Sequence, residues 1–69
     1  MSSIRVHVNG AARVFPTAPT FDELLAELSL AGRRLAVERN GEIVPRSHFA
    51  AARLADGDRI EVVMAVGGG

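Results

Sequence analysis

"RIEVVMAVGGG", residues 59–69, decides how this chain is read. Ile60, Val62, Met64 and Val66 fall on one face of an extended strand, and Arg59, Glu61, Val63 and Ala65 on the other. No proline interrupts the run, and it is the most continuously apolar segment of the sequence. Such a strand belongs in the middle of a sheet, where both neighbours satisfy its backbone. Gly67, Gly68 and Gly69 follow without a spacer. They are expected to form a flexible tail leaving the rigid centre of the fold, with residues 1–66 as a single domain. Terminal slack is the competing reading, since chain ends fray and glycine costs most to order.

Working outward, "SIRVHVNG" alternates Ile4, Val6 and Val8 against Arg5, His7 and Asn9, the pattern of a half-buried strand. Asn9-Gly10 signals a hairpin, with "AARVF" as the returning strand. A two-residue loop pairs Val6 with Arg13 and turns that arginine to the apolar face. A three-residue loop places Ala12 and Val14 there instead, and is the expected register because one slip reverses every side chain. Pro16 and Pro19 make a stiff loop. Thr20 and Glu23 then form a capping-box pattern. Phe21, Leu24, Leu25 and Leu28 lie at i, i+3, i+4 and i+7, the apolar stripe of a helix of about three turns. Gly32 is the expected stop, with Arg33 and Arg34 near the negative end of the helix dipole.

A second Asn-Gly turn, Asn40-Gly41, joins "RLAVER" to "EIVP". A two-residue loop pairs Val37 with Val44 and leaves Ile43 on the opposite face; the alternative register buries Ile43. The crossover "PRSHFAAARLADGD" lacks strand alternation. Ser47 is the candidate cap of a short helical turn, Phe49 and Leu54 are expected core plugs, and Asp56-Gly57-Asp58 is a turn. Hairpin, helix, hairpin, crossover and long last strand together predict an α+β roll with one helix across a mixed sheet of four to five strands.

Composition narrows the function. Sixty-nine residues make one small domain, and the absence of cysteine removes disulfides, thiolate metal sites and a cysteine nucleophile. That absence fits a cytoplasmic protein. Eight basic and eight acidic residues cancel and are interspersed, which argues against nucleic acid or an anionic membrane as partner. No stretch reaches the roughly 20 apolar residues of a membrane span, and no signal peptide is evident. All eight basic residues are arginine, so no side-chain amine is present for a Schiff base or an isopeptide bond.

Catalysis by the chain itself is not supported. His7 and His48 have no ligand spacing and read as solvated side chains. The serines lack an arranged histidine and carboxylate, and the Asp56/Asp58 pair lacks the other ligands of a calcium loop. A core this small leaves little room for a substrate pocket. What remains is the α-carboxylate of Gly69. A carboxylate is a poor electrophile and must be activated, usually as an acyl-adenylate, inside another protein. Glycines suit that use, because backbone without Cβ threads a narrow channel, and three residues reach about 10 Å.

The order of elements, with "TFDELLAELSL" as the helix, "VERNGEIVPR" as the second hairpin, "LADGDRIEVV" entering the last strand and "VGGG" at the end, resembles the β-grasp, ubiquitin-like sulfur carriers over essentially the whole chain. The resemblance is nearest to the carriers of thiamine biosynthesis, the ThiS family. It implies a carrier that binds no cofactor itself. A ThiF-like E1-type adenylyltransferase would adenylate Gly69 with ATP and magnesium. A cysteine desulfurase would supply sulfur to make a thiocarboxylate, and a thiazole synthase would accept it. Gly68 and Gly69 correspond to the family's essential pair, and Gly67 extends the run. Val63 and Ala65, with Ile43 as a neighbour, are the candidate partner-facing surface; burial under the crossover is the alternative. The small subunit of molybdopterin synthase shares this fold and tail, but its members tend to be longer and to carry proline before the glycines. A carrier serving another pathway, a ubiquitin-like modifier, a TGS-type RNA-binding module and a structural interaction domain are the further alternatives.

Overall fold

The computed structural model describes residues 3–65. Five strands and one helix follow one another as β1 (Ile4–Val8), β2 (Ala11–Phe15), α1 (Phe21–Glu27), β3 (Leu35–Arg39), β4 (Glu42–Ile43) and β5 (Arg59–Met64). They build one mixed sheet in the order β2-β1-β5-β3-β4, with β1 and β5 parallel and the other pairs antiparallel. The last strand is central, as its apolar composition requires. Phe21, Leu24 and Leu25 of α1 share one core with Val6, Val8, Val37, Ile60 and Val62 of the sheet. Phe49 and Leu54 of the crossover join that core, so the crossover packs on the helix side and leaves the other face of the sheet open.

The capping box forms as its spacing predicts. Glu23 N–H donates to Thr20 Oγ1 at 3.1 Å, and Thr20 N–H donates to Glu23 Oε1 at 2.8 Å. The helix is shorter than its apolar stripe suggests, seven residues from Phe21 to Glu27 with Leu28 as C-cap, rather than a run to Gly32. Ser29 takes φ = 62°, Leu30 N–H reaches back to Leu25 C=O and Ser29 N–H to Ala26 C=O. This pair of bonds closes the helix end in a Schellman motif, with serine in the left-handed position usually taken by glycine. Leu30 is thereby folded back toward the core. Arg33 and Arg34 lie well past the last turn, which carries no basic residue, so the expected dipole pairing is absent. In the crossover a 3-10 turn spans Arg46–His48, capped by Pro45 without a side-chain bond. Ser47 sits inside that turn rather than capping it.

The first hairpin adopts the register with the shorter loop. Val6 faces Arg13 and Ile4 faces Phe15, while Asn9 (φ = 51°) and Gly10 (φ = 85°) turn the chain. The expected three-residue loop is wrong, and Val14 lies exposed. The reason is Phe15. This register brings Phe15 into the core and tolerates a half-buried Arg13 on an edge strand, whereas the other register would expose the ring. Burying a phenylalanine side chain is worth roughly 1.5–3 kcal/mol, and the long arginine stem can lie on apolar surface with its charge in water. The second hairpin also uses a two-residue loop. Val44 N–H donates to Val37 C=O at 2.8 Å, and Ile43 is exposed.

Candidate functional site

The two Asn-Gly turns do more than reverse the chain: each grips β5. Val62 N–H donates to Asn9 Oδ1 at 2.8 Å, and Asn9 Nδ2 donates to Val62 C=O at 3.3 Å. The side-chain amide of Asn9 thus takes the place of a peptide group beyond the end of β1. From the other side, Arg59 N–H donates to Asn40 Oδ1 at 2.9 Å, and Asn40 N–H donates to Arg59 C=O at 2.8 Å. Left-handed asparagine, demanded by the turns, aims both amides at the central strand.

The start of β5 is fastened by Asp58, a residue for which the sequence suggests only a turn. Its carboxylate accepts from Ala55 N–H at 2.8 Å, Arg39 Nε at 2.9 Å and Asn40 Nδ2 at 3.1 Å. Arg39 Nη2 completes an ion pair with it at 2.8 Å, and the same guanidinium stacks over Phe21 and donates to Arg53 C=O. Burial pushes the Asp58 carboxyl up, but the hydrogen bonds and the Arg39 charge outweigh it and hold its pKa below the ordinary value. Asp56 ties the same turn to β1 by accepting from Arg5 N–H at 2.8 Å. Asp56 and Asp58 therefore brace the turn that leads into β5. No group of three or more potential metal ligands occurs among the described residues. His7 and His48 are exposed.

At its other end β5 leads to the glycines. Gly67, Gly68 and Gly69 lie outside the described residues, as does Val66. Ala65 is held to Arg34 C=O by its N–H at 2.9 Å, so the β3–β5 ladder runs to the last described residue. Val63 is 54% exposed and Ile43 62% exposed, and Ala65 is exposed beside Val63. The alternative of burial under the crossover does not occur, because Phe49 and Leu54 draw that segment to the opposite face. Ile43 is not in direct register with Val63. It faces Glu38 across the second hairpin, and Val63 faces Ala36 one row along. Glu38 in turn stands opposite Glu61. The open face is therefore an apolar row at Ala36 and Val63 next to a row holding Ile43 and two carboxylates. A shallow depression of ≈ 430 Å³ near the end of β5 has Arg34, Arg46, Val63, Met64 and Ala65 among its lining residues. No helix among the described residues is long and apolar enough to cross a membrane.

Comparison with known proteins agrees with this architecture. The model of the ThiS family matches residues 5–69. The chain is 42% identical over 50 residues to the sulfur carrier protein ThiS of Bacillus subtilis, covering 72% of this chain and 76% of that protein. It is 44% identical over 66 residues to a thiazole synthase of Paramagnetospirillum magneticum, covering 96% of this chain but spanning only 20% of the synthase's length. The crystal structure of the thiamine biosynthesis protein ThiS from Geobacter metallireducens superposes with a TM-score of 0.79 at 33% identity, covering 96% of this chain and all of that one. In sequence, through Gly69, and in its five-stranded β-grasp roll, the chain belongs to the ThiS family.

Proposed function

We propose that the chain is a sulfur carrier of thiamine biosynthesis, acting as a co-substrate rather than a catalyst, with the Gly69 carboxylate as its working group. In this reading a ThiF-like E1-type enzyme spends ATP, with magnesium, to form the Gly69 acyl-adenylate. The outer sulfur of a cysteine desulfurase persulfide attacks the adenylate carbonyl and displaces AMP, giving an acyl disulfide. A thiol reductant then cleaves the S–S bond, itself ending in a disulfide, and frees the thiocarboxylate that a thiazole synthase consumes. The observation that carries the reading is the family match, which extends over residues 5–69 and so reaches Gly69. Kinship with a segment of a thiazole synthase supports that enzyme as the acceptor. Val63, Ala65 and Ile43 supply the docking face, where exposed apolar side chains beside the tail suit transient contact. Gly67 and Gly68 give the carboxylate its reach. An ATP-dependent step and a chain without cysteine both suit the cytoplasm.

Intact mass of the protein purified from its native host tests this. A species heavier by the difference between sulfur and oxygen, located in the C-terminal peptide, is the expected result. Appending one residue after Gly69 is expected to abolish sulfur transfer with folding unchanged; an extended chain that still transfers sulfur without being trimmed would sink the proposal.

A further inference from the structure

Among the described residues, the register of β5 leaves one backbone position without a partner, at Met64. Antiparallel pairing with β3 alternates, and the Ala65 N–H to Arg34 C=O bond sets its phase. Val63 and Ala65 therefore direct their N–H and C=O groups at β3, whereas Val62 and Met64 direct theirs to the β1 side. At Val62 that side is filled by the Asn9 amide. At Met64 it is not: β1 has ended at Val8, and no described residue bonds the Met64 N–H or C=O. Among the described residues, a strand that is central at Ile60 has become an edge by Met64, and an open edge is a template for another strand.

We infer that this edge takes an extended segment of the partner protein, which adds to the sheet beside Met64 as the tail enters the partner's site. The occupant is a peptide backbone, because the position one step earlier already accepts a peptide-shaped group. The Asn9 side chain gives Val62 the donor and acceptor a neighbouring strand would give. Strand addition supplies affinity through main-chain bonds, with specificity left to side chains on alternate faces. Val63, exposed on the sheet's open face, flanks the added strand. The inference rests on the sulfur-carrier reading and assigns the partner as the thiazole synthase.

The test is chemical synthesis of the chain with an N-methyl group on Met64, removing one N–H that β3 does not use. Met64→Leu is the control for synthesis and side chain. Each chain is titrated against the organism's purified thiazole synthase, with hydrogen exchange of the Met64 amide followed in the free and bound states. Expected are an unchanged melting temperature, at least a tenfold weaker affinity for the N-methyl chain, and slowed exchange at Met64 on binding of the unmodified chain. Equal affinity of the two chains, or exchange at Met64 unchanged by binding, overturns strand addition and leaves the carrier reading standing. Failure of the unmodified chain to bind the synthase overturns both.

Discussion

Asn9 offers the most direct measure of how the turns hold the central strand. Its amide makes two bonds to Val62, one short at 2.8 Å and one long at 3.3 Å, in a part-buried position. A net worth of roughly 0.5–1.5 kcal/mol per hydrogen bond gives roughly 1–3 kcal/mol for the pair, and the long member draws the value toward the lower half. Asn9→Ala adds the cost of a left-handed alanine at φ = 51°, roughly 1–2 kcal/mol, for a total of about 2–4 kcal/mol. Asn9→Gly removes the bonds without that strain and isolates their contribution, about 1–2 kcal/mol. Against a whole-domain stability of roughly 3–10 kcal/mol for a chain of this size, either loss is large. Urea denaturation of the parent and both variants reads these differences, and hydrogen exchange at the Val62 amide localises them. If Asn9→Gly unfolds within about 0.5 kcal/mol of the parent, the amide does not hold β5 and the reasoning fails.

Three further outcomes follow from the same geometry. Stability attributable to Asp58 is present above the ordinary carboxylate pKa and lost as pH falls through its lowered folded value, so the parent is expected to lose more stability on acidification than Asp58→Asn; parallel pH profiles in urea melts would contradict this. Glu61→Arg, opposite Glu38 of β3, replaces a like-charge pair with an opposite one and is expected to raise stability by roughly 0.2–1 kcal/mol, less in high salt, as thermal melts at two ionic strengths would show. Val63→Asp is expected to leave the melting temperature within a few degrees of the parent and to weaken synthase binding at least tenfold in a titration, whereas Val37→Asp, at a fully buried position, is expected to unfold the chain.

Reading the residues alone reaches the elements whose causes are local. Thr20 and Glu23 are three apart, so the capping box needs nothing beyond the helix itself. Asn-Gly dictates a tight turn wherever it falls between apolar runs. The apolar continuity of residues 59–64 requires two flanking strands. The family resemblance, resting on order and spacing, was legible for the same reason.

What remained for the tertiary structure were choices in which distant groups compete. Arg13 faces inward because Phe15, two residues on, gains more from the core than arginine loses on an edge. The helix stops at Leu28 because Leu30 returns to the core and Ser29 accepts a left-handed backbone to allow it, a balance invisible in the stripe of leucines. Asp58 looks like a turn residue until the fold sets Arg39, Asn40 and Ala55 around it. Among the described residues, the edge at Met64 is open because β1 ends where β5 continues. Local spacing thus determined the turns, the helix start and the central strand. Register, the helix end, the buried carboxylate and the free edge were decided by which side chains the assembled core could hold.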